Sequence, residues 1–164
     1  MSEMSHLAES LASFYGNPQN DWFLPVTEAI KGLSAEEAAA VPAKGFNSVW
    51  AVINHIWICQ IIVLLRLQDK PVDRAELGAE NDWPSVGDPM DEAAWQAACT
   101  RALETNLELS KYVSELNAKD LNAPVKPGQS ERWKLIQSVI AHNSYHACEI
   151  ISIRHMQGLW LKDA

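Results

Sequence analysis

The chain has 164 residues and a formal charge of −8, from 13 Lys and Arg against 21 Asp and Glu. Its hydrophobic fraction of 48% and charged fraction of 21% are typical of a soluble globular protein. The length favours one domain over residues 1–164. The acidic balance excludes a basic phosphate-binding surface, so nucleic acid is not an expected partner. Three cysteines and a polar beginning of the chain predict a cytoplasmic protein.

Apolar residues at helical spacing predict two long helices in the first half of the chain. The first helix runs from about Ser5 to Tyr15. A capping-box pattern that begins at Ser34 then predicts a short helical turn. The second long helix begins after an N-cap at Asn47 or Ser48 and ends near Gln68.

Two more long helices are predicted after an extended loop over Asp69–Gly87. The third begins with an N-cap at Asp88 and keeps its apolar stripe as far as Leu116. A linker over Ala123–Gly128 separates it from the last helix, Glu131–Met156. The pattern predicts an all-α protein, an up-down four-helix bundle with long loops between the helices.

The second long helix is apolar enough to require a membrane check. Its segment Val49–Leu67 approaches the roughly 20 residues that span a bilayer. However, Asn54, His55, Gln60 and Arg66 interrupt the apolar run. A buried helix with a few polar groups fits this pattern better, so no membrane partner is expected.

The last helix carries two histidines on the face that is expected to be buried. His142 and His146 are one turn apart, and such a pair can present two imidazole nitrogens to one metal ion. His55, on the edge of the apolar stripe of the second helix, can supply a third ligand if the two helices pack together. The alternative is three core histidines, each with its own hydrogen-bond partner.

Three neighbouring residues have open roles. Glu149 shares the face of His142 and His146 and is the candidate catalytic residue, as a general base; it could instead orient an imidazole N–H or pair with a neighbouring helix. Cys59, one turn after His55, is either a fourth ligand or a small core residue. Trp83 lies in the long loop and could cover the site.

Several motifs resemble the DinB-like (damage-inducible) superfamily over nearly the whole chain. They are His142-Asn-Ser-Tyr-His146-Ala-Cys-Glu-Ile150 with Arg154 and Gly158-Leu-Trp160, Asn47-Ser48-Val49-Trp50 before His55, Asp82-Trp83-Pro84 and Asp91-Glu-Ala-Ala-Trp95. The resemblance implies a four-helix bundle that binds one divalent metal through His55, His142 and His146. Two departures are Cys148, where Gly is common, and Cys59-Gln60, where an acidic residue is frequent.

The resemblance implies one divalent metal. Imidazole donors suit zinc, nickel, copper or iron, and zinc or nickel is expected first, with iron next. Some relatives look like thiol S-transferases that use bacillithiol or mycothiol, and others resemble metal-dependent hydrolases. A three-His site leaves a position for water or a small-molecule substrate, including a low-molecular-weight thiol. The sequence therefore supports two hypotheses, a metal-dependent enzyme or a non-catalytic bundle whose ion is structural.

A homodimer is also expected. The resemblance implies it, because family members are often dimers. In addition, four apolar residues near the chain ends lack an obvious helical stripe that would bury them, namely Trp22, Phe23, Trp160 and Leu161.

Overall fold

The computed structural model describes residues 2–16, 23–78, 83–126 and 129–161. The secondary structure of these residues consists of α-helices without a β-strand, which confirms the predicted all-α class. The helices are α1 (Glu3–Gly16), α2 (Val26–Ala29), α3 (Ala35–Ala39), α4 (Val49–Leu67), α5 (Glu92–Glu115), α6 (Ala118–Asn122) and α7 (Arg132–Met156).

The predicted N-caps explain where α3 and α4 begin. The hydroxyl of Ser34 accepts a hydrogen bond from the backbone N–H of Glu37, whose carboxylate accepts from the Ser34 N–H in return. This capping box is the one that the sequence predicts. Of the two candidates before α4, Ser48 is the cap, because its hydroxyl accepts from the Ala51 N–H at 3.2 Å.

The predicted N-cap of the third long helix is wrong by three residues. Asp88 accepts from the Met90 N–H and closes a turn before the helix begins. The carboxylate of Asp91 then accepts from the Ala94 N–H at 2.9 Å and caps α5. Two acidic residues three positions apart offer the same capping chemistry, and sequence alone does not rank them.

Four long helices close a ring in the order α1, α5, α4, α7 and back to α1, so α1 and α4 lie at opposite corners. Helices α4 and α5 run parallel, since Asn54 meets Arg101 near their beginnings and the carbonyl of Leu67 meets the Tyr112 hydroxyl near their ends. A parallel pair requires a connection that returns along the bundle, and the long segment 68–91 supplies it. The four-helix bundle is confirmed, although its connections differ from a simple up-down order.

Two large apolar clusters at the two ends of the bundle form most of the core. One is built around Trp50 and Trp95, and the other around Leu64 and Leu109. Ile58 and Ile62 of α4 form a third, smaller cluster. Several buried polar side chains belong to none of these clusters, among them Asn54, Gln60, Thr105, Asn106, Asn143 and His146. Burying such groups is costly unless they have polar partners, so this part of the core identifies where function should be sought.

Among the described residues, α4 has the length and apolar composition that a membrane-spanning helix would need. Most of its apolar stretch is buried inside the bundle, and it packs against α5 and α7. Buried core helices of soluble proteins can have the same length and composition, so these two properties do not make α4 a membrane span.

The end of α7 is fixed by two features. Gly158 has a positive φ of 75° and lets the Leu159 N–H reach the carbonyl of Arg154, which is a Schellman ending. The buried guanidinium of Arg154 donates to the carbonyls of Ala29 and Lys31. These bonds attach the segment around α2 to the end of α7.

Candidate metal centre

Three imidazole rings from two helices meet in the partly polar part of the core. The Nε2 atom of His142 lies 3.1 Å from Nε2 of His55 and 3.1 Å from Nε2 of His146. The three ligand atoms all lie within 4.8 Å of one another. The structure thus brings together the three histidines that the sequence singles out, as a group that could hold a metal ion.

Helix geometry explains this convergence. His142 and His146 are one turn apart on α7, so their side chains lie on one face. Helix α4 runs antiparallel to α7, since Asn47 meets Glu149 while His55 meets His142. One histidine on α4 therefore faces the pair on α7.

The separations of the His142 nitrogen from the other two nitrogens fit coordination of one ion. A metal–nitrogen bond of about 2.0–2.1 Å with tetrahedral angles places two ligand nitrogens about 3.3–3.4 Å apart, and right angles place them about 2.8–3.0 Å apart. The observed 3.1 Å lies between these values. Imidazole donors suit zinc, nickel, copper and iron, so the donor set agrees with a divalent transition metal.

Glu149 orients one of the three rings. Its Oε2 lies 2.6 Å from Nδ1 of His146, and its Oε1 accepts a hydrogen bond from Nδ2 of Asn47 at 3.2 Å. A carboxylate that accepts the Nδ1–H of an imidazole leaves the Nε2 lone pair directed to the metal position. Of the roles predicted for Glu149, this contact is the one that orients an imidazole N–H.

Burial keeps the imidazoles of His142 and His146 neutral. Desolvation, with further contributions from His146 and His55, lowers the pKa of His142 to about 4. Desolvation also lowers the pKa of His146, although the hydrogen bond and the charge of Glu149 act in the opposite direction. Neutral imidazoles have a lone pair to donate, so both rings are in the form that binds metal near neutral pH.

The long loop before α5 covers one side of the site. The indole of Trp83 stacks on the His55 ring with centroids 4.2 Å apart and planes 9° apart. Asn54 donates to the carbonyl of Ser85 at 3.1 Å and fixes this part of the loop on α4. Trp83 therefore lies against the site, as the sequence suggests, while Asp82 of the same motif lies outside the described residues.

Cys59 lies beside the group of three nitrogens but outside it. Its Sγ is 3.7 Å from Nε2 of His55, one helical turn earlier on α4. The other two cysteines belong to α5 and α7. Burial raises the pKa of the Cys99 thiol on α5 to about 12, and Cys148 on α7 is exposed. The contact keeps a ligand role for Cys59 open as a prediction.

The two remaining histidines lie away from the metal centre, as expected. His6 is exposed on α1, near the beginning of the chain. His155 is exposed near the end of α7, and its ring packs on Trp160 with centroids 4.2 Å apart. Both therefore serve as reference positions for experiments on the three convergent histidines.

Sequence reasoning missed the part that Asn47 plays. The sequence places Asn47 at the start of α4 as a cap candidate, whereas its side chain reaches across to Glu149 on α7. A contact over 102 residues has no local signal. The sequence offers one indirect indication. Asn47 directly precedes α4 and Glu149 lies in the second half of α7, and these two positions come close when the helices are antiparallel.

The fold and the three-histidine site together define the class of protein. A family model for the DinB superfamily matches residues 26–150, and the chain belongs to that superfamily. Comparison with curated proteins finds no match.

A solved structure shares the fold. YfiT from Bacillus subtilis, reported as a probable metal-dependent hydrolase with an unusual four-helix bundle topology, superposes with a TM-score of 0.60 at 14% sequence identity. The similarity covers 98% of this chain and 91% of YfiT. At this identity the likeness concerns the fold alone.

Proposed function

We propose that this protein is a metal-dependent enzyme of the hydrolase type whose ion is held by His55, His142 and His146. The observation that carries the proposal is the convergence of three imidazoles, with Nε2 of His142 lying 3.1 Å from Nε2 of both His55 and His146. His55 and His142 are half-buried rather than sealed in the core. An ion at this point is therefore expected to keep a coordination position for an exchangeable ligand.

His55, His142 and His146 would hold a divalent ion through uncharged imidazoles, and the ion would supply a Lewis acid that lowers the pKa of a bound water or thiol. The chain's own residues supply the rest. Glu149 accepts the Nδ1–H of His146 and fixes that ring, and Asn47 fixes the carboxylate. Trp83 covers the outer face of His55 and limits the access of water from that side.

Glu149 is also the candidate general base. Its Oε2 is engaged by His146 and its Oε1 by Asn47, which supports an orienting role over proton transfer to or from a substrate. Zinc, nickel and iron are the proposed metals, because imidazole donors suit all three.

A second candidate reaction is transfer of a low-molecular-weight thiol to an electrophile. Three uncharged ligands favour an anionic fourth ligand, and a thiolate is as suitable as hydroxide. The superfamily resemblance adds support, since some relatives look like bacillithiol- or mycothiol-dependent S-transferases. The small-molecule partner of this chain is then a thiol together with its acceptor.

The first experiment is elemental analysis of the purified protein, followed by assays of the metal-loaded and chelator-treated forms. Hydrolysis is measured on a panel of esters and amides, and thiol transfer on an activated aryl chloride. Activity that is lost with the metal and restored by zinc or nickel supports the enzyme proposal. A protein that retains one ion, gains stability from it and turns over no member of either panel supports the non-catalytic alternative instead.

We also propose a cytoplasmic homodimer. Trp160 is 65% exposed beside His155, which leaves an apolar group for an interface. Phe23 is less available because its ring stacks on Phe14 at 3.9 Å, and Trp22 lies outside the described residues. Light scattering tests the proposal: a mass of 18.3 kDa at all concentrations would refute the dimer.

A further inference from the structure

We propose that Cys59 is a displaceable fourth ligand of the ion held by His55, His142 and His146. The inference rests on the proposed metal site and adds to it a sulfur donor from α4. It is carried by the position of Cys59 relative to the three nitrogens and by the chemistry of thiolate ligands.

The first step is the arrangement of the two helices. Helix α7 presents a histidine pair one turn apart, His142 and His146. Helix α4 presents a second pair with the same spacing, His55 and Cys59, and the other two cysteines belong to α5 and α7. Two i, i+4 pairs that face each other across an antiparallel helix contact can offer four ligands to one ion.

The second step is distance. With a metal–nitrogen bond of about 2.0–2.1 Å, a metal–sulfur bond of about 2.3 Å and tetrahedral angles, a coordinated nitrogen and sulfur lie roughly 3.6 Å apart. The Sγ of Cys59 and the Nε2 of His55 are 3.7 Å apart. The sulfur therefore lies close enough to His55 for both atoms to reach one ion, although it is not yet part of the convergent group.

The third step is the remaining movement. The sulfur lies outside the group in which all ligand atoms are within 4.8 Å of one another, so the described conformation leaves the three histidines as the convergent set. A cysteine in a helix has two favoured χ1 values, and exchange between them moves the sulfur while the backbone stays in place. The thiol proton passes to solvent as the metal–sulfur bond forms.

A sulfur ligand has two consequences. Thiolate and imidazole donors together favour zinc over the hard cations magnesium and calcium, so Cys59 would contribute to metal choice. A ligand that reaches the ion by a side-chain rotation can also leave it. Cys59 would thus complete a set of four protein ligands and would leave the three histidines when water or substrate takes its position.

Substitution with cobalt(II) tests the proposal without an activity assay. Cobalt bound by sulfur shows a near-ultraviolet charge-transfer band that cobalt bound by imidazole and water does not show. We expect the band in the native protein and in the matched variants Cys99→Ser and Cys148→Ser. We expect Cys59→Ser to bind cobalt, as seen in its visible bands, and to lose the charge-transfer band.

The outcomes separate this inference from the proposed function. A native protein that binds cobalt without the charge-transfer band overturns the role of Cys59 and leaves the three-histidine site in place. A native protein that binds no cobalt, zinc or nickel overturns both. X-ray absorption of the native zinc form is the second measurement and needs no variant: a sulfur neighbour at about 2.3 Å supports the proposal, and a shell of light atoms alone refutes it.

Discussion

Replacement of Glu149 by Gln tests whether this carboxylate orients the metal site. The variant keeps the size of the side chain and removes its charge. Oε2 of Glu149 lies 2.6 Å from Nδ1 of His146, and the carboxylate is 24% exposed, so solvent screens this contact less than a surface pair. An amide can offer its oxygen to the same N–H, but without the charge that makes the imidazole a stronger donor to the metal.

The expected effect is a loss of metal affinity. Residues that hold a ligating histidine typically contribute about 10–100-fold to metal affinity or activity. This range corresponds to about 1.4–2.7 kcal/mol. We expect Glu149→Gln to fall within it, and Asn47→Ala to weaken binding less, since Asn47 acts on the ion through Glu149.

The assay is a zinc titration at neutral pH in competition with a chromophoric chelator. Glu108→Gln on α5 is the matched control, because Glu108 is exposed and the variant makes the same change of charge. An affinity of Glu149→Gln equal to that of the control would refute the orienting role. Unchanged affinity with slower turnover, on the order of 10²–10⁴-fold, would instead identify Glu149 as the general base.

Three further predictions concern the ligand set, the pH dependence and the loop. His142→Ala should abolish metal retention while His155→Ala keeps it, which elemental analysis of both variants will show. In the metal-free protein, His142 has a pKa of about 4 against 6.5 for the ordinary group. The unfolded state therefore binds more protons between these values, and urea denaturation should show a free energy of unfolding that falls as the pH drops from about 6.5 to about 4. If that free energy were flat over the interval, the proposed burial of a neutral His142 would be wrong. In Gly87→Ala, the new Cβ would lie 2.8 Å from two indole carbons of Trp50. We expect a stability loss of about 1–3 kcal/mol in the same assay, and unchanged stability would contradict the close packing of the loop on α4.

The long helices and the three histidines could be predicted from the sequence because their signals are local. Apolar periodicity fixes the faces of α4 and α7, and the HxxxH spacing needs a single helix to become meaningful. His55 required one more assumption, that α4 packs beside α7, and the structure confirms it. The predicted ends of the helices were less accurate: Asp88 was the predicted N-cap of α5, and Asp91 is the observed one.

The order of the helices in the bundle could not be predicted in the same way. Periodicity gives each helix an inner face but does not say which neighbour that face contacts. The long segment between α4 and α5 indicates a return along the bundle only once the two helices are known to be parallel. A chain with shorter connections would have left fewer arrangements open.

The arrangement around His146 explains why a metal site can be placed in the interior of this bundle. Burial makes the imidazoles neutral and frees their lone pairs, but burial alone does not direct those lone pairs to one point. Glu149 supplies the direction by accepting the Nδ1–H of His146, and Asn47 holds Glu149 from the beginning of α4. The same antiparallel contact that brings His55 to the α7 histidines also brings Asn47 to Glu149. The three candidate ligands and the carboxylate that orients His146 thus depend on one helix pair, so a change in the packing of α4 on α7 should impair both together.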